Sequence, residues 1–243
     1  MATRVSIFVT CLVDQLFPKV GLSMATVLER LGYEVEFRED QTCCGQPAFN
    51  SGFRDEARKV AKHFLDVFED AEYIVSPSGS CTAMCSHHFT DLFRDDEATL
   101  KRAKAVEHRV WEFSRFLLEV AKVDDVGAAY DGKVTYHDSC HALRELGIKS
   151  GPRQLLQQVR GLELVEMDIP EECCGFGGTF SVKFAEVSGS MARSKVQSIQ
   201  RTGASAVVSI DSSCLMQIEG AIRKEGLPIR TLHLAEVLAG EAR

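Results

Sequence analysis

The sequence predicts an α/β protein built as two duplicated parallel-sheet halves related by pseudo-twofold symmetry. Three observations carry the prediction. A cysteine pattern occurs twice, the text around it repeats, and strand-like runs alternate with amphipathic helical stripes. The cysteines stand at 11, 43, 44, 81 and 85, then at 140, 173, 174 and 214. In each half a lone cysteine precedes an adjacent pair, with 31 residues between them in the first half and 32 in the second. A further cysteine follows each pair after 36 and 39 residues. The text Ala71-Glu72-Tyr73-Ile74-Val75-Ser76 ahead of Gly79-Ser80-Cys81 matches Ala204-Ser205-Ala206-Val207-Val208-Ser209 ahead of Ser212-Ser213-Cys214. The unit recurs only once, so it is a domain-sized duplication and not a solenoid. Domains are expected at residues 1–125 and 126–243, with the linker in the Asp- and Gly-containing stretch 122–133.

The elements follow in order. Residues 4–10 read as a buried strand, and Val20, Met24, Val27, Leu28 and Leu31 share one helical face. Residues 34–37 form a second strand. Phe53, Ala57, Val60, Ala61, Phe64 and Phe68 make another helical stripe, and residues 72–76 a third strand. The second half repeats this order. It has a strand at 133–137, a helix with Pro152 in its first turn, a strand at 162–167, a long helix through Ser194 and Val196, and a strand at 204–210. Such alternation implies parallel sheets with right-handed crossovers. Each cysteine group then follows a strand. In a parallel sheet those loops open at one carboxyl edge, where such folds bind ligands. Metal sites are therefore expected at the carboxyl ends of the strands.

Composition narrows the function. The 243 residues carry 35 acidic and 28 basic side chains, a net charge of −7. Nothing in that balance favours nucleic acid or an anionic membrane. No uncharged apolar run approaches the roughly 18 residues of a spanning helix, and the run from Val5 to Thr10 is too short for a signal-peptide core. The expected location is cytoplasmic. There, clustered cysteines bind metal or do redox chemistry more often than they form disulfides.

Four converging thiolates suit zinc or an iron–sulfur cluster. A mononuclear zinc site draws on C-x₂₋₄-C knuckles, whereas neighbouring cysteines point apart and span two irons of one cluster more readily. The expected ligands are Cys11, Cys43, Cys44 and Cys81, with Cys85 as a fifth thiol, and Cys140, Cys173, Cys174 and Cys214. Gly175, Gly177 and Gly178 would let backbone approach the second centre and donate N–H groups to sulfur, and Gly45 and Gly79 would do so at the first. Any one of these glycines is also an ordinary turn residue.

The stretches Cys43-Cys44-Gly45-Gln46-Pro47-Ala48-Phe49-Asn50-Ser51-Gly52 and Cys173-Cys174-Gly175-Phe176-Gly177-Gly178-Thr179-Phe180-Ser181-Val182-Lys183 resemble the motifs of the cysteine-rich CCG domains. That family includes the B subunit of heterodisulfide reductase and the iron–sulfur subunit of glycolate oxidase. The likeness spans the chain and extends, with His233-Leu234-Ala235-Glu236-Val237-Leu238, to members that serve lactate utilization. It implies an iron–sulfur electron-transfer subunit with one cluster of 4Fe-4S type per half. It also implies oxidation of L-lactate to pyruvate with two partners, lactate utilization proteins B and C. Relatives of heterodisulfide reductase end each site with C-x-x-C and use five thiolates. Here the first half has Cys81-Thr82-Ala83-Met84-Cys85, and the second half has Ile218 where Cys85 would stand. A zinc-bound interaction module that scaffolds redox partners, with zinc in the second half, is the competing reading. A thiol–disulfide enzyme using the cysteine pairs directly is a third.

Other side chains have two readings each. His137, His141, His87 and His88 are metal ligands or proton shuttles, or else packed or solvated histidines. Asp138 and Asp211 are acids near the loops, or helix caps. Trp111 is read as packing on a helical stripe with Val106, Val110, Phe113 and Leu117. No dinucleotide fingerprint, P-loop, Ser-His-Asp signature or ferredoxin-type C-x₂-C-x₂-C run is found. The chain is accordingly not expected to oxidise lactate alone.

Overall fold

The structure, a computed structural model, describes residues 2–240. Its strands are β1 (Arg4–Ile7), β2 (Glu34–Phe37), β3 (Ile74–Ser76), β4 (Val110–Glu112), β5 (Ala129–Tyr136), β6 (Arg160–Leu164), β7 (Ala206–Ser209) and β8 (Arg230–His233). They form two four-stranded sheets of the same order, β2-β1-β3-β4 and β6-β5-β7-β8, parallel throughout. The expected duplicated α/β architecture is present.

Each half has one strand more than the sequence reading provides. Val110 and Trp111 are expected on a helical stripe, but Val110-Trp111-Glu112 pairs with Ile74-Val75-Ser76 as an edge strand. Its apolar residues run straight into the helix Phe113–Glu119, so the two periodicities merge. Trp111 does pack against the core, as a strand residue. The expected linker is also shorter than read, because β5 already begins at Ala129 and Val126 and Ala128 are buried.

Helix contacts occur in symmetric pairs across the molecule. The helix Cys11–Leu16 meets Ser212–Lys224, and its counterpart Cys140–Arg144 meets Gly79–Ala83. Likewise Leu234–Ala239 packs on Pro18–Arg30, and Phe113–Glu119 packs on Ser150–Gln157. An antiparallel bridge joins Ser78 to Asp211, which are equivalent positions of the two repeats. A bridge between equivalents marks the pseudo-twofold axis.

The largest apolar cluster crosses that axis. Val5, Val27 and Leu28 lie in it with Val134, Leu234, Val237 and Leu238, all wholly buried. Each such side chain contributes about 1.5–3 kcal/mol by leaving water. Arg30 adds a polar tie between the halves, its guanidinium donating to the carbonyls of Val126 (3.1 Å), Leu238 (3.2 Å) and Ala239 (2.9 Å). There it satisfies the open carbonyl end of the last helix. Among the described residues no helix is long and apolar enough to cross a membrane.

Candidate metal centre

Every cysteine of the repeated pattern sits just beyond a strand's carboxyl end. Cys11 and Cys140 open the short helices after β1 and β5. The pairs Cys43-Cys44 and Cys173-Cys174 lie in the loops after β2 and β6. Cys81 and Cys214 stand in the first turn of the helices after β3 and β7. All eight line one cavity of about 220 Å³ between the halves. By the same measure a single water needs only ~10–15 Å³. Cysteines up to 203 positions apart in sequence thus face one space. All nine cysteines are free thiols.

Within each half the sulfurs touch. Cys11 Sγ lies 3.8 Å from Cys43 Sγ. The amide of Gly45 donates to Cys43 Sγ at 3.3 Å, and that of Gly175 donates to Cys173 Sγ at the same 3.3 Å. Both glycines hold φ near +90°, a conformation that costs a side-chain-bearing residue. These contacts single out one thiolate per half. Hydrogen bonds from Cys11 and then Cys44 hold Cys43 down to about 3. Those from Cys140 and then Cys174 hold Cys173 down to about 2. Their donors are pushed up: Cys11 by its bond to Cys43, Cys140 by its bond to Cys173, and Cys44 and Cys174 by their bonds to the adjacent cysteine. A cation or cluster is what allows several such thiols to ionise together.

Cys85 is placed differently. It lies in a π-helical turn, Met84–His88, and is buried among Phe8, Cys44, Met84 and Phe89 without lining the cavity. Burial, then the charges of Cys81 and Cys43, raise its thiol well above the ordinary value. π-turns inside α-helices recur at functional sites. The matching helix of the second half, Ser212–Lys224, runs through Ile218 as unbroken α.

The glycines divide in the same way. Gly177 and Gly178 line the cavity with left-handed φ values. Gly79 does not line it. A Cβ there would come within 2.5 Å of the Ala142 Cβ, so this glycine serves the contact between the helices Gly79–Ala83 and Cys140–Arg144.

Asp211 caps the helix Ser212–Lys224, its Oδ1 accepting from the Ser213 N–H at 3.2 Å. Its Oδ2 accepts from the Ser80 N–H (3.0 Å) and from the hydroxyls of Ser78 and Ser139 (3.4 Å each). One buried carboxylate therefore fixes the loops that present Cys81, Cys140 and Cys214. Asp138 is not a cap. It forms a two-pronged ion pair with Arg153 at 2.8 and 2.9 Å, because the strand end points it at that guanidinium.

The histidines also separate. His88 and His141 both reach Glu145, at 2.8 and 3.7 Å, and His87 bonds Ser86. His141 Nδ1 lies 3.6 Å from Cys140 Sγ. His137 is wholly buried, neither ring nitrogen has a hydrogen-bond partner, and a ring nitrogen lies within 4.8 Å of the sulfurs of Cys174 and Cys214. Burial, then the charge of Lys195, lowers His137 to about 3, which leaves a neutral imidazole. Lys195 was missed in the sequence. Its ammonium is buried against the carbonyls of Ile169 and Pro170, and setting the two repeats side by side would have shown a lysine where the first half has Phe64.

The comparisons agree with this frame. A protein of 49% identity from Halalkalibacterium halodurans, "Lactate utilization protein A", aligns over 99% of this chain and 98% of its own length. One of the same name from an Exiguobacterium species is 50% identical over 97% of this chain and 96% of its own. A solved hypothetical protein from Helicobacter pylori shares the fold, with a TM-score of 0.67 at 7% identity over 99% of this chain; the chain spans about half (49%) of that protein. The profile of the cysteine-rich CCG domain matches residues 5–86 and again 134–219, which contain all the cysteines described above. The chain belongs to the cysteine-rich CCG domain family.

Proposed function

We propose that this protein is the iron–sulfur electron-transfer subunit of a multi-protein system that oxidises L-lactate to pyruvate. The observation that carries the reading is the convergence of two four-thiol sets on one cavity, in a chain whose relatives are called Lactate utilization protein A. Cys11, Cys43, Cys44 and Cys81, backed by Cys85, would hold the first cluster, and Cys140, Cys173, Cys174 and Cys214 the second. The donor set fits. Each half offers soft thiol ligands, one of them already held as a thiolate by the neighbouring cysteine thiols and, to a lesser degree, by a glycine N–H.

Bound clusters of 4Fe-4S type supply one-electron acceptance and release. The chain's own residues do the rest. The neighbouring cysteine thiols, helped by the Gly45 and Gly175 amides, favour the thiolate form of Cys43 and Cys173. Buried Cys44 and Cys174 keep water off the inner side of each centre. Asp211 fixes the distance between the halves. Lactate oxidation releases two electrons and two protons, and this sequence carries no flavin or nicotinamide fingerprint. The bond-breaking step is therefore assigned to the partners, lactate utilization proteins B and C, and the assembly to the cytoplasm.

A zinc-bound scaffold is the second reading. It is favoured by the grouping of His137, Cys174 and Cys214, a mixed nitrogen–sulfur set typical of zinc. Turnover separates subunit from enzyme. The anaerobically purified protein, given L-lactate and an artificial acceptor, should show no pyruvate formation until both partners are added. Robust turnover by the polypeptide alone would refute the subunit assignment.

A further inference from the structure

We propose that His137 is a ligand of the second centre, so that the first centre is held by thiolates alone and the second by thiolates and an imidazole. The inference rests on the metal-centre reading above and concerns only which atoms of this chain complete the second site. A buried imidazole with both nitrogens unpartnered is costly. His137 bears that cost at a position where the sulfurs of Cys174 and Cys214, two thiols of the proposed site, lie within 4.8 Å of a ring nitrogen. The Pro170 carbonyl lies close enough to raise the ring's basicity but makes no hydrogen bond to it. It is an acceptor for the second ring N–H once the first nitrogen binds, an arrangement that ligating histidines commonly have.

The repeat gives an independent argument. Counting back from Cys140 and Cys11, His137 stands where the first half has Phe8. The helices that back the two sites can be aligned by their glycine contacts. A Cβ on Gly45 would meet Ala57 and Val60, and one on Gly175 would meet Ser188 and Met191. The same offset pairs Phe64 with Lys195. Counting forward from Cys81 and Cys214 pairs Cys85 with Ile218. The first half thus places an extra thiol and two phenyl rings behind its sulfurs. The second half has no extra thiol but places an imidazole and a buried ammonium there. The missing donor is replaced by one on a different element.

The exchange has an electronic consequence. A neutral imidazole in place of an anionic thiolate, with a cation beside it, favours the reduced form, as it does where histidine replaces cysteine on iron–sulfur centres. The second centre is accordingly the more easily reduced of the two.

Isotope labelling combined with two substitutions decides the question. Protein carrying ¹⁵N only in histidine, purified anaerobically and partly reduced, is examined by pulsed electron paramagnetic resonance. A histidine nitrogen coupling is expected on one of the two centres, the one reduced first. It should vanish in His137→Phe and persist in His141→Phe. Two paramagnetic centres with no histidine coupling would overturn the proposal, as would a coupling lost only in His141→Phe. If iron and sulfide are absent, the iron–sulfur reading fails separately. X-ray absorption at the zinc edge then decides His137 by whether a nitrogen scatterer disappears in His137→Phe.

Discussion

Behind the thiols of the first half stands an aromatic wall. Phe8 packs edge-on against Phe64 at 4.9 Å and Phe68 at 5.8 Å, and Phe64 against Phe89 at 5.4 Å. The equivalent positions in the second half carry His137, Lys195, Ile199 and Ile222. The same strand order and cysteine spacing therefore enclose two different interiors. A duplicated chain keeps the geometry that positions ligands and is free to change what lies behind them. That background sets charge, solvation and redox character, and the front of the site does not reveal it.

The sharpest structural difference is the ion pair that braces only the second half. Asp138, with Arg153 against it, stands where the first half has Val9. Asp138 is almost wholly buried, and Arg153 also holds Glu166 at 2.6 Å and lies over the Tyr136 ring at 4.8 Å. Arg153→Ala leaves a buried carboxylate without its partner and is expected to cost about 3–5 kcal/mol in chemical denaturation. A loss below about 1 kcal/mol would mean that the brace is dispensable and the halves are mechanically alike.

A second contrast is in pH response. Glu112 and His233 end the equivalent strands β4 and β8, and each caps the helix that follows. Burial raises Glu112 to about 7, and burial lowers His233 to about 4. Glu112 has a folded value above its unfolded one. Its contribution is fully present below about 4.5 and is lost as pH rises through about 7. His233 has a folded value below its unfolded one. Its contribution is present above about 6.5 and is lost as pH falls through about 4. At about 1.4 kcal/mol per pKa unit, each accounts for up to a few kcal/mol. Glu112→Gln should remove the decline between about pH 4.5 and 7, and His233→Gln should flatten the acid side. Identical pH–stability curves for both variants and the parent would contradict the burial argument.

The smallest expected effect concerns Cys85. Cys81→Ser should remove the first centre's iron. Cys85→Ser should leave the iron in place and change the visible and electron paramagnetic spectrum of that centre alone. An unchanged spectrum would make Cys85 a core side chain and leave four thiolates in each half.

The duplication was legible because cysteine, glycine and strand residues repeat at nearly fixed offsets, and a parallel sheet converts such offsets into one edge. The boundaries of β2 and of the helix Arg54–Val67 follow from periodicity. The edge strands β4 and β8 did not, since three or four residues running into a helix carry too little alternation to stand out. The shared cavity was illegible for a different reason. It depends on helix Leu234–Ala239 of one half seating on helix Pro18–Arg30 of the other, a tertiary contact that no local pattern announces. Asp138 and Asp211 read alike in sequence and part in the structure. One meets a guanidinium and the other meets the backbone of both halves.

The central claim is two separate metal centres, one per half, facing a common cavity. Iron, acid-labile sulfide and zinc measured on anaerobically purified protein, beside Cys44→Ser and Cys174→Ser, test it most directly. The account predicts two clusters' worth of iron with matching sulfide in the parent, and loss of about half of each in either variant. Stoichiometric zinc without sulfide, or a single substitution that removes all the iron from a still-folded chain, would contradict it.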